Sequence, residues 1–503
     1  MVNDLISTLE MSIADVNADY LGVKRIILME NAGRGLAEFI WEICNEKYCS
    51  SIVIIAGKGG NGGDGMVAAR HLANKAKVSL YLVGAKEDIK KDSTRKNWKI
   101  LENLSHSINV KEVSDPVDLN KINISKKTII VDALFGTGVR GEITGHYSKV
   151  ISYINSCETK GAIIICVDTP SGINPNTGQK ANIFVKGHYT AVFHKQKQGL
   201  TAENSGKIKV ISIGIPPEAE FIVGPGDLLA LSNKKKWVKK GDQGKILVIG
   251  GNEKYSGAPA LAAMGALQAG SDLVTIIAPK HVSHAIRSYT PEFIVDSYPS
   301  SHLTTESLPF QQMKETDSIV LGPGLGRHPD TQKAVDKILK FTKTHDIPLV
   351  IDADALHLIN RSQLYSKVIL TPHAGEFAVL TGITLPSGFS SFSERLNAVL
   401  KATKDSPAVW LVKGPWDIIS RSEKYKINKS GVPEMSRGGT GDILAGLTAG
   451  FATKTKNLFY AATISAFING KAGELSRRDF STSNLLTKIP EALQSSWNFI
   501  SED

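Results

Sequence analysis

The sequence predicts an α/β protein made of two doubly wound domains. Three observations carry that expectation. Short continuous apolar runs alternate with helical stretches, as strands buried on both faces of a parallel sheet do. The alternation fades after about residue 216 and restarts near 244. Most runs end in Gly or Asp, several at glycine-rich loops. The chain has 503 residues, enough for two large domains at roughly 100–200 residues each.

In the first half the strand runs are SIVIIAG (51–57), KVSLYLVG (77–84), TIIVDALFG (128–136) and AIIICVD (162–168), with helical composition at 64–75 and 90–104. In the second half they are KILVIGG (245–251), DLVTIIA (272–278), SIVLGPG (318–324), PLVIDAD (348–354), KVILTPH (367–373) and AVWLVKG (408–414). Helices are expected at 258–269, 328–344, 391–405 and 440–452. The segment 216–241 holds three prolines and a lysine cluster. The boundary is therefore placed at 225–240, giving domains 1–225 and 235–503.

An apolar fraction of 42% and a charged fraction of 21% fit globular domains. No apolar run reaches the roughly 18–20 residues that span a bilayer, so no membrane partner is expected. The N-terminus lacks the basic and apolar regions of a signal peptide. The four cysteines, Cys44, Cys49, Cys157 and Cys166, form no CxxC pair. A reducing, cytoplasmic compartment is expected. The net charge of +10 is densest at Lys234, Lys235, Lys236, Lys239 and Lys240, around Trp237. No nucleic-acid motif accompanies them, so they read as a solvated linker and a general pull on phosphates, with no nucleic-acid partner.

The loop after the first strand reads Gly57-Lys58-Gly59-Gly60-Asn61-Gly62-Gly63-Asp64-Gly65. Residues 57–62 match GxGxxG, a weak dinucleotide signal. Asp64 falls where the helix is expected to begin, and a carboxylate there repels a pyrophosphate. The better reading is a wide loop of bare N–H groups that holds one phosphate. Asp64 then caps the helix or binds a ligand hydroxyl. Asp132 ends the third run, ahead of Gly136-Thr137-Gly138-Val139-Arg140-Gly141, and Asp168 ends the fourth, ahead of Ser171. Ligands of open α/β sheets bind beyond such strand ends.

GKGGNGGDG, VDALFGTGVRG and DTPSG, in that order, resemble the NAD(P)H-hydrate epimerase family, the YjeF N-terminal domain. The likeness covers residues 1–225. Gly60 stands where the family usually has the first of two asparagines. The resemblance implies a Rossmann-like three-layer sandwich. It implies that Gly60, Asn61, Gly62, Gly63 and Asp64, with Gly136, Thr137, Gly138, Val139, Arg140, Gly141, Glu142 and Asp168, cradle a hydrated nicotinamide cofactor. Asn61, Asp132 and Ser171 would bind K+, a hard cation suited to oxygen donors. Asp168 is the expected acid/base for epimerisation at C6.

In the second half Gly438-Gly439-Thr440-Gly441-Asp442 opens an apolar helical pattern. Glycines at a helix start expose N–H donors that stabilise a phosphoryl group, and Asp442 is placed to accept a proton. Gly322-Pro323-Gly324-Leu325-Gly326 offers another bare turn. Asp352 and Asp354 read either as Mg2+ ligands or as a helix-start turn. Thr371-Pro372-His373-Ala374-Gly375-Glu376 and Lys413-Gly414 end two further strands.

GPGLG, DADAL, TPHAGE, a strand-ending KG and GGTGD resemble the ribokinase-like superfamily, and within it the ADP- or ATP-dependent NAD(P)H-hydrate dehydratase family, the YjeF C-terminal domain. The likeness covers about residues 235–500. It implies that Ala258, Gly324, His373 and Asp442 contact the hydrated cofactor. Lys413, Gly414, Pro415, Trp416, Asp417 and Gly441 would contact the adenine nucleotide, and Asp442 would be the base. The expected partners are therefore small molecules, hydrated NADH or NADPH and ADP or ATP; a homo-oligomer is also expected. Two alternatives stand beside this reading. One is a ribokinase-like small-molecule kinase; the other makes the N-terminal domain a non-catalytic ligand-binding module.

Overall fold

The computed structural model describes residues 5–136, 141–231, 239, 241–388 and 391–501. Expectations for Thr137, Gly138, Val139 and Arg140, and for Lys234, Lys235, Lys236 and Lys240, lie outside the described residues. The chain forms two compact units, one up to Ala219 and one from Glu220.

The strands of the first unit are β1 (Leu5–Ile6), β2 (Ser51–Ala56), β3 (Lys77–Val83), β4 (Ile108–Val113), β5 (Thr128–Ala133), β6 (Ile163–Val167), β7 (Tyr189–Phe193), β8 (Gln196–Lys197) and β9 (Lys207–Ile211). Seven form a parallel sheet in the order β4-β3-β2-β5-β6-β7-β9. Successive side chains of β2 enter opposite cores. Ile52 and Ile54 join one cluster, and Val53 and Ile55 join the other. Helices cover both faces, which makes the three layers. Each buried Val or Ile contributes about 1.5–3 kcal/mol relative to exposure. That two-sided burial is why β2 reads as an unbroken apolar run. From β2 the chain steps outward to β3 and β4, then returns to β5 on the other side. The switch point thus lies between β2 and β5, where ligands of such sheets bind.

In the second unit the strands are β10 (Lys245–Ile249), β11 (Leu273–Pro279), β12 (Ile294–Tyr298), β13 (Ser318–Leu321), β14 (Leu349–Ile351), β15 (Val368–Leu370), β16 (Val409–Val412), β17 (Asp417–Arg421) and β18 (Lys424–Asn428). They form one sheet, β12-β11-β10-β13-β14-β15-β16-β17-β18, with only the last two pairings antiparallel. Its switch point lies between β10 and β13. Over the sheet, helix Gly257–Gln268 packs on helix Thr440–Ala452. A Cβ on Gly446 would stand 1.8 Å from Ala262 O, and one on Gly265 would stand 2.4 Å from Ile443 O. The two backbones touch because neither position carries a side chain.

Three expectations are corrected. The first glycine-rich helix runs Gly60–Leu72 with Gly59 as its N-cap, four residues ahead of the expected start. Asp64 is therefore inside the helix, not its cap. The first domain does not extend to 225. Val223 N–H donates to Ile427 O (2.9 Å), and the fully buried Asp227 accepts from Lys426 Nζ at 2.6 Å, so residues from 220 on belong to the second unit. The cysteines are not all reduced: Cys44 and Cys49 form a disulfide, while Cys157 and Cys166 are free and buried. The chain turns back within five residues after Cys44, a spacing outside the CxxC pattern. Among the described residues no helix is long and apolar enough to cross a membrane.

Candidate active sites

At the first switch point, glycines let main chains meet. A Cβ on Gly57 would lie 1.9 Å from Leu134 O, and one on Gly62 would lie 1.8 Å from Gly57 O. Gly63 N–H closes the first helical bond to Gly59 O (3.1 Å), while among the described residues no acceptor takes the N–H of Gly60, Asn61 or Gly62. Those three donors, at the positive end of the helix, make an anion cradle. Lys91 Nζ lies 3.5 Å from where a Gly60 Cβ would be, so a cation overlooks this position.

Beside the cradle, Asp132 and Ser171 are both 1% exposed. Asp132 accepts from Ser171 N–H (2.8 Å) and Ser171 Oγ (2.7 Å). Phe135 links them to Asn61: its N–H donates to Ser171 Oγ (3.1 Å), and its carbonyl accepts from Asn61 Nδ2 (3.0 Å). Phe135 thus bridges Asn61 to the Asp132–Ser171 pair. Burial pushes the Asp132 carboxyl above the usual range, against the hydrogen bonds from Ser171.

Asp168 follows β6 with a φ of 59°, in the left-handed region that few non-glycine residues adopt. Its Oδ1 accepts from Phe193 N–H (3.0 Å) and from Lys197 Nζ. Lys197 has no exposed surface, and its Nζ also donates to Phe193 O (3.1 Å). Asp64 is 8% exposed. Burial, and then the charge of Asp168, hold its carboxyl well above the usual range. Asp15, on helix Thr8–Tyr20, belongs to the same group. Burial pushes it up to about 6, against the pull of Lys197 and Lys91. Sequence reasoning missed Lys197 and Asp15. Gly141 and Glu142 are exposed.

The second site gathers at β10 and β13. Gly322, Gly324 and Gly326 have φ values of 125°, 63° and 80°, which only glycine adopts readily. A Cβ on Gly324 would be 3.4 Å from Ala258 Cβ, so these two predicted residues adjoin. Gly439, the N-cap of helix Thr440–Ala452, has φ 94°. Its position rests on Leu261 Cδ1, on the helix that bears Ala258. Among the described residues no acceptor takes the N–H of Gly439, Thr440, Gly441 or Asp442. The amide cluster is free for a ligand.

Asp442 is half-buried in the first turn. Its carboxyl is pushed up to about 7, first by burial and then by the charge of Asp352; Lys413 acts the other way. Lys413 Nζ lies 3.2 Å from where a Gly441 Cβ would be. It donates to Asp352 Oδ1 at 2.8 Å. Burial works against the Lys413 ammonium, but Asp352, Glu376 and Asp442 outweigh it, and its pKa rises. Glu376, 6% exposed, accepts from His373 N–H (2.8 Å). His373 caps helix Ala374–Thr381 through Nδ1, which accepts from Gly375 N–H (3.0 Å) and Glu376 N–H (3.2 Å).

The expected Asp352–Asp354 metal pair is not formed. Asp352 turns inward to Lys413 and to Thr371 Oγ1 (2.7 Å). Asp354 turns away to Gly326 N–H (3.0 Å) and Arg327 Nε (2.9 Å). The segment is instead a helix-start turn, Ala353–His357. In the nucleotide loop, Gly414 and Pro415 are exposed. Trp416 packs edge-on to Phe392 with Lys429 Nζ 4.4 Å from its ring centre. Asp417 turns inward and accepts from Gly414 N–H and Asn428 Nδ2, both at 3.0 Å.

Two α/β units, each with buried carboxylates and free main-chain amides at its switch point, define a two-site enzyme. The NAD(P)H-hydrate dehydratase family matches residues 246–495, and the YjeF-related protein N-terminus matches residues 25–199. The bifunctional NAD(P)H-hydrate repair enzyme Nnr of Methanothermobacter thermautotrophicus is 38% identical over 97% of this chain and 95% of its own. Its counterpart in Hyperthermus butylicus is 37% identical over 97% of this chain and 92% of its own. A solved structure, the ADP/ATP-dependent NAD(P)H-hydrate dehydratase from Bacillus subtilis co-crystallised with ATP/Mg2+, is 25% identical. It covers 55% of this chain and 99% of its own, with a TM-score of 0.45. The chain belongs to the family of bifunctional NAD(P)H-hydrate repair enzymes.

Proposed function

We propose that the second unit dehydrates the S form of NAD(P)H hydrate at the expense of ADP or ATP, and that the first unit interconverts the R and S forms. The observation that carries the dehydratase half is Asp442 beside four main-chain N–H groups with no acceptor among the described residues. Asp442 takes the proton of the C6 hydroxyl as that oxygen attacks the terminal phosphoryl group. The amides of 439–442 hold the developing negative charge, and Lys413, next to Gly441, adds a positive one. One preorganised oxyanion donor is typically worth about 10²–10³ in rate. Phosphate is a far better leaving group than hydroxide. The lone pair of the ring nitrogen expels it from C6 as an iminium forms, and loss of a C5 proton to the released phosphate then restores the ring double bond. Ala258, Gly324 and His373 line the cofactor side, and 413–416 the nucleotide side. No step is routed through Mg2+, since the carboxylates expected to hold it face apart.

In the first unit the free amides of 60–62 take a phosphate of the hydrate. Asp168 removes the C6 hydroxyl proton while Asp64, whose carboxyl burial raises well above the usual range, gives a proton to the ring nitrogen as the C6–N bond opens. Re-addition to the other face of the resulting aldehyde returns both protons. Asn61, Asp132 and Ser171 would hold a potassium ion: Ser171 is bonded to Asp132, Phe135 joins both to Asn61, and the buried Asp132 has no ion-pair partner among the described residues. The ion would supply that countercharge. Placement in the cytoplasm and self-association belong to the same proposal, the latter read by the solution mass of the full chain.

The test is recovery of absorbance near 340 nm from hydrated NADH, with ADP and ATP in parallel. NADH with stoichiometric release of phosphate is the expected outcome. A stable phosphorylated product would point instead to a small-molecule kinase. The match of repair enzymes to 97% of this chain supports the repair reading over that one, since such a kinase has no need of the first unit.

A further inference from the structure

Lys197 has no part in the reading above, yet it is the largest fully buried charged side chain described. A lysine is almost never wholly buried unless its ammonium is paired. This one is held at both ends of its reach. Its backbone lies in β8, which pairs with the N-terminal strand β1, Ile6 opposite Lys197. Its Nζ meets Phe193 O at 3.1 Å and Asp168 Oδ1. Phe193 N–H meets that same Oδ1 at 3.0 Å. One oxygen of Asp168 is therefore clamped by two donors, whereas Oδ2 takes no hydrogen bond among the described residues.

Resting on the reading of Asp168 as the epimerase base, we propose that Lys197 is its positioning residue. The ammonium pins Oδ1, which turns Oδ2 toward the substrate hydroxyl as the proton-accepting atom. The ion pair also lets a charged carboxylate stand in a buried pocket, where an unpaired one is costly. Lys197 itself does not touch the hydrate. A positioned base typically supplies about 10²–10⁴ in rate, and a displaced one forfeits much of it.

The experiment uses the full chain. Epimerisation of the R hydrate is followed as kcat and KM, with dehydration of the S hydrate as the internal control. Lys197→Met is expected to lower epimerase kcat about 100-fold or more, with KM within about threefold and the dehydration rate unchanged. Lys197→Arg keeps the charge but moves the donor, and is expected to fall between, about tenfold down. A Lys197→Met protein with wild-type kcat, beside an inactive Asp168→Asn protein, overturns the proposal while leaving Asp168 as the base. Asp168→Asn at the wild-type rate overturns that underlying reading instead. If Lys197→Met does not fold, Lys197→Arg decides: a wild-type kcat, or a loss confined to KM, overturns the proposal.

Discussion

Asp168 and Asp442, the proposed bases of two units of one architecture class, are wired differently. Asp168 has a lysine of its own, since Lys197 bonds it directly. Asp442 has a lysine nearby that is already engaged, since Lys413 bonds Asp352. Asp442 thus faces burial and the charge of Asp352 with only partial compensation, and its carboxyl rises to about 7. An ion-paired carboxylate is a fixed base. A carboxylate left beside a like charge holds its proton until near neutrality and is a base poised for exchange.

The largest expected effect tests that contrast. Asp442→Asn should lower dehydration about 10³-fold or more, with both ligands still bound and epimerisation intact. Loss of both activities together would break the separation of the two sites. Next, wild-type dehydration should rise with pH and level off above a midpoint of about 7, where Asp442 loses its proton. Asp352→Asn removes the like charge and frees Lys413, and both changes favour the charged form. The midpoint should therefore move to lower pH; a shift upward would mean that Asp352 acts on another group. Ser171→Ala should blunt any activation of epimerisation by K+ over Na+ and leave dehydration unchanged.

The smallest effect is on stability. The folded value for Asp442 lies above the ordinary 3.8. Its contribution to stability is complete below that value and is lost as pH rises through about 7. Asn carries no such loss. Asp442→Asn should then melt higher than wild type at pH 8, by roughly 2–4 °C after allowance for solvent screening at a half-exposed group. Equal melting temperatures would show that solvent already stabilises the charge.

The buried centre of each sheet was legible because β2, β5, β10 and β13 have to be apolar on both faces. Edge strands were not. Ile108–Val113 reads INVKEV with exposed alternate positions, and a strand wetted on one side looks like a loop. The helix at 60 was missed because four glycines in its first six residues read as a turn; tertiary contact at Gly57 and Gly62 decides it. GGTGD was legible because the helix begins directly after the glycine pair 438–439, with Asp442 in its first turn. Lys197 was not, since it stands in the polar run HKQKQG and nothing local says that it faces inward. The two readings of Asp352 and Asp354 stayed open in the sequence because neighbouring carboxylates need not share a direction; the helix-start turn is the one formed.

The contact of Gly446 with Ala262, one helical turn from Asp442 and Ala258, sets how the second site tolerates change. Two rods pressed backbone to backbone cannot slide without lifting apart, so the spacing between Asp442 and Ala258 is inherited from a seam one turn away. A single added methyl at 446 would act like a shim at a hinge. The chemistry would fail with every reactive group still present.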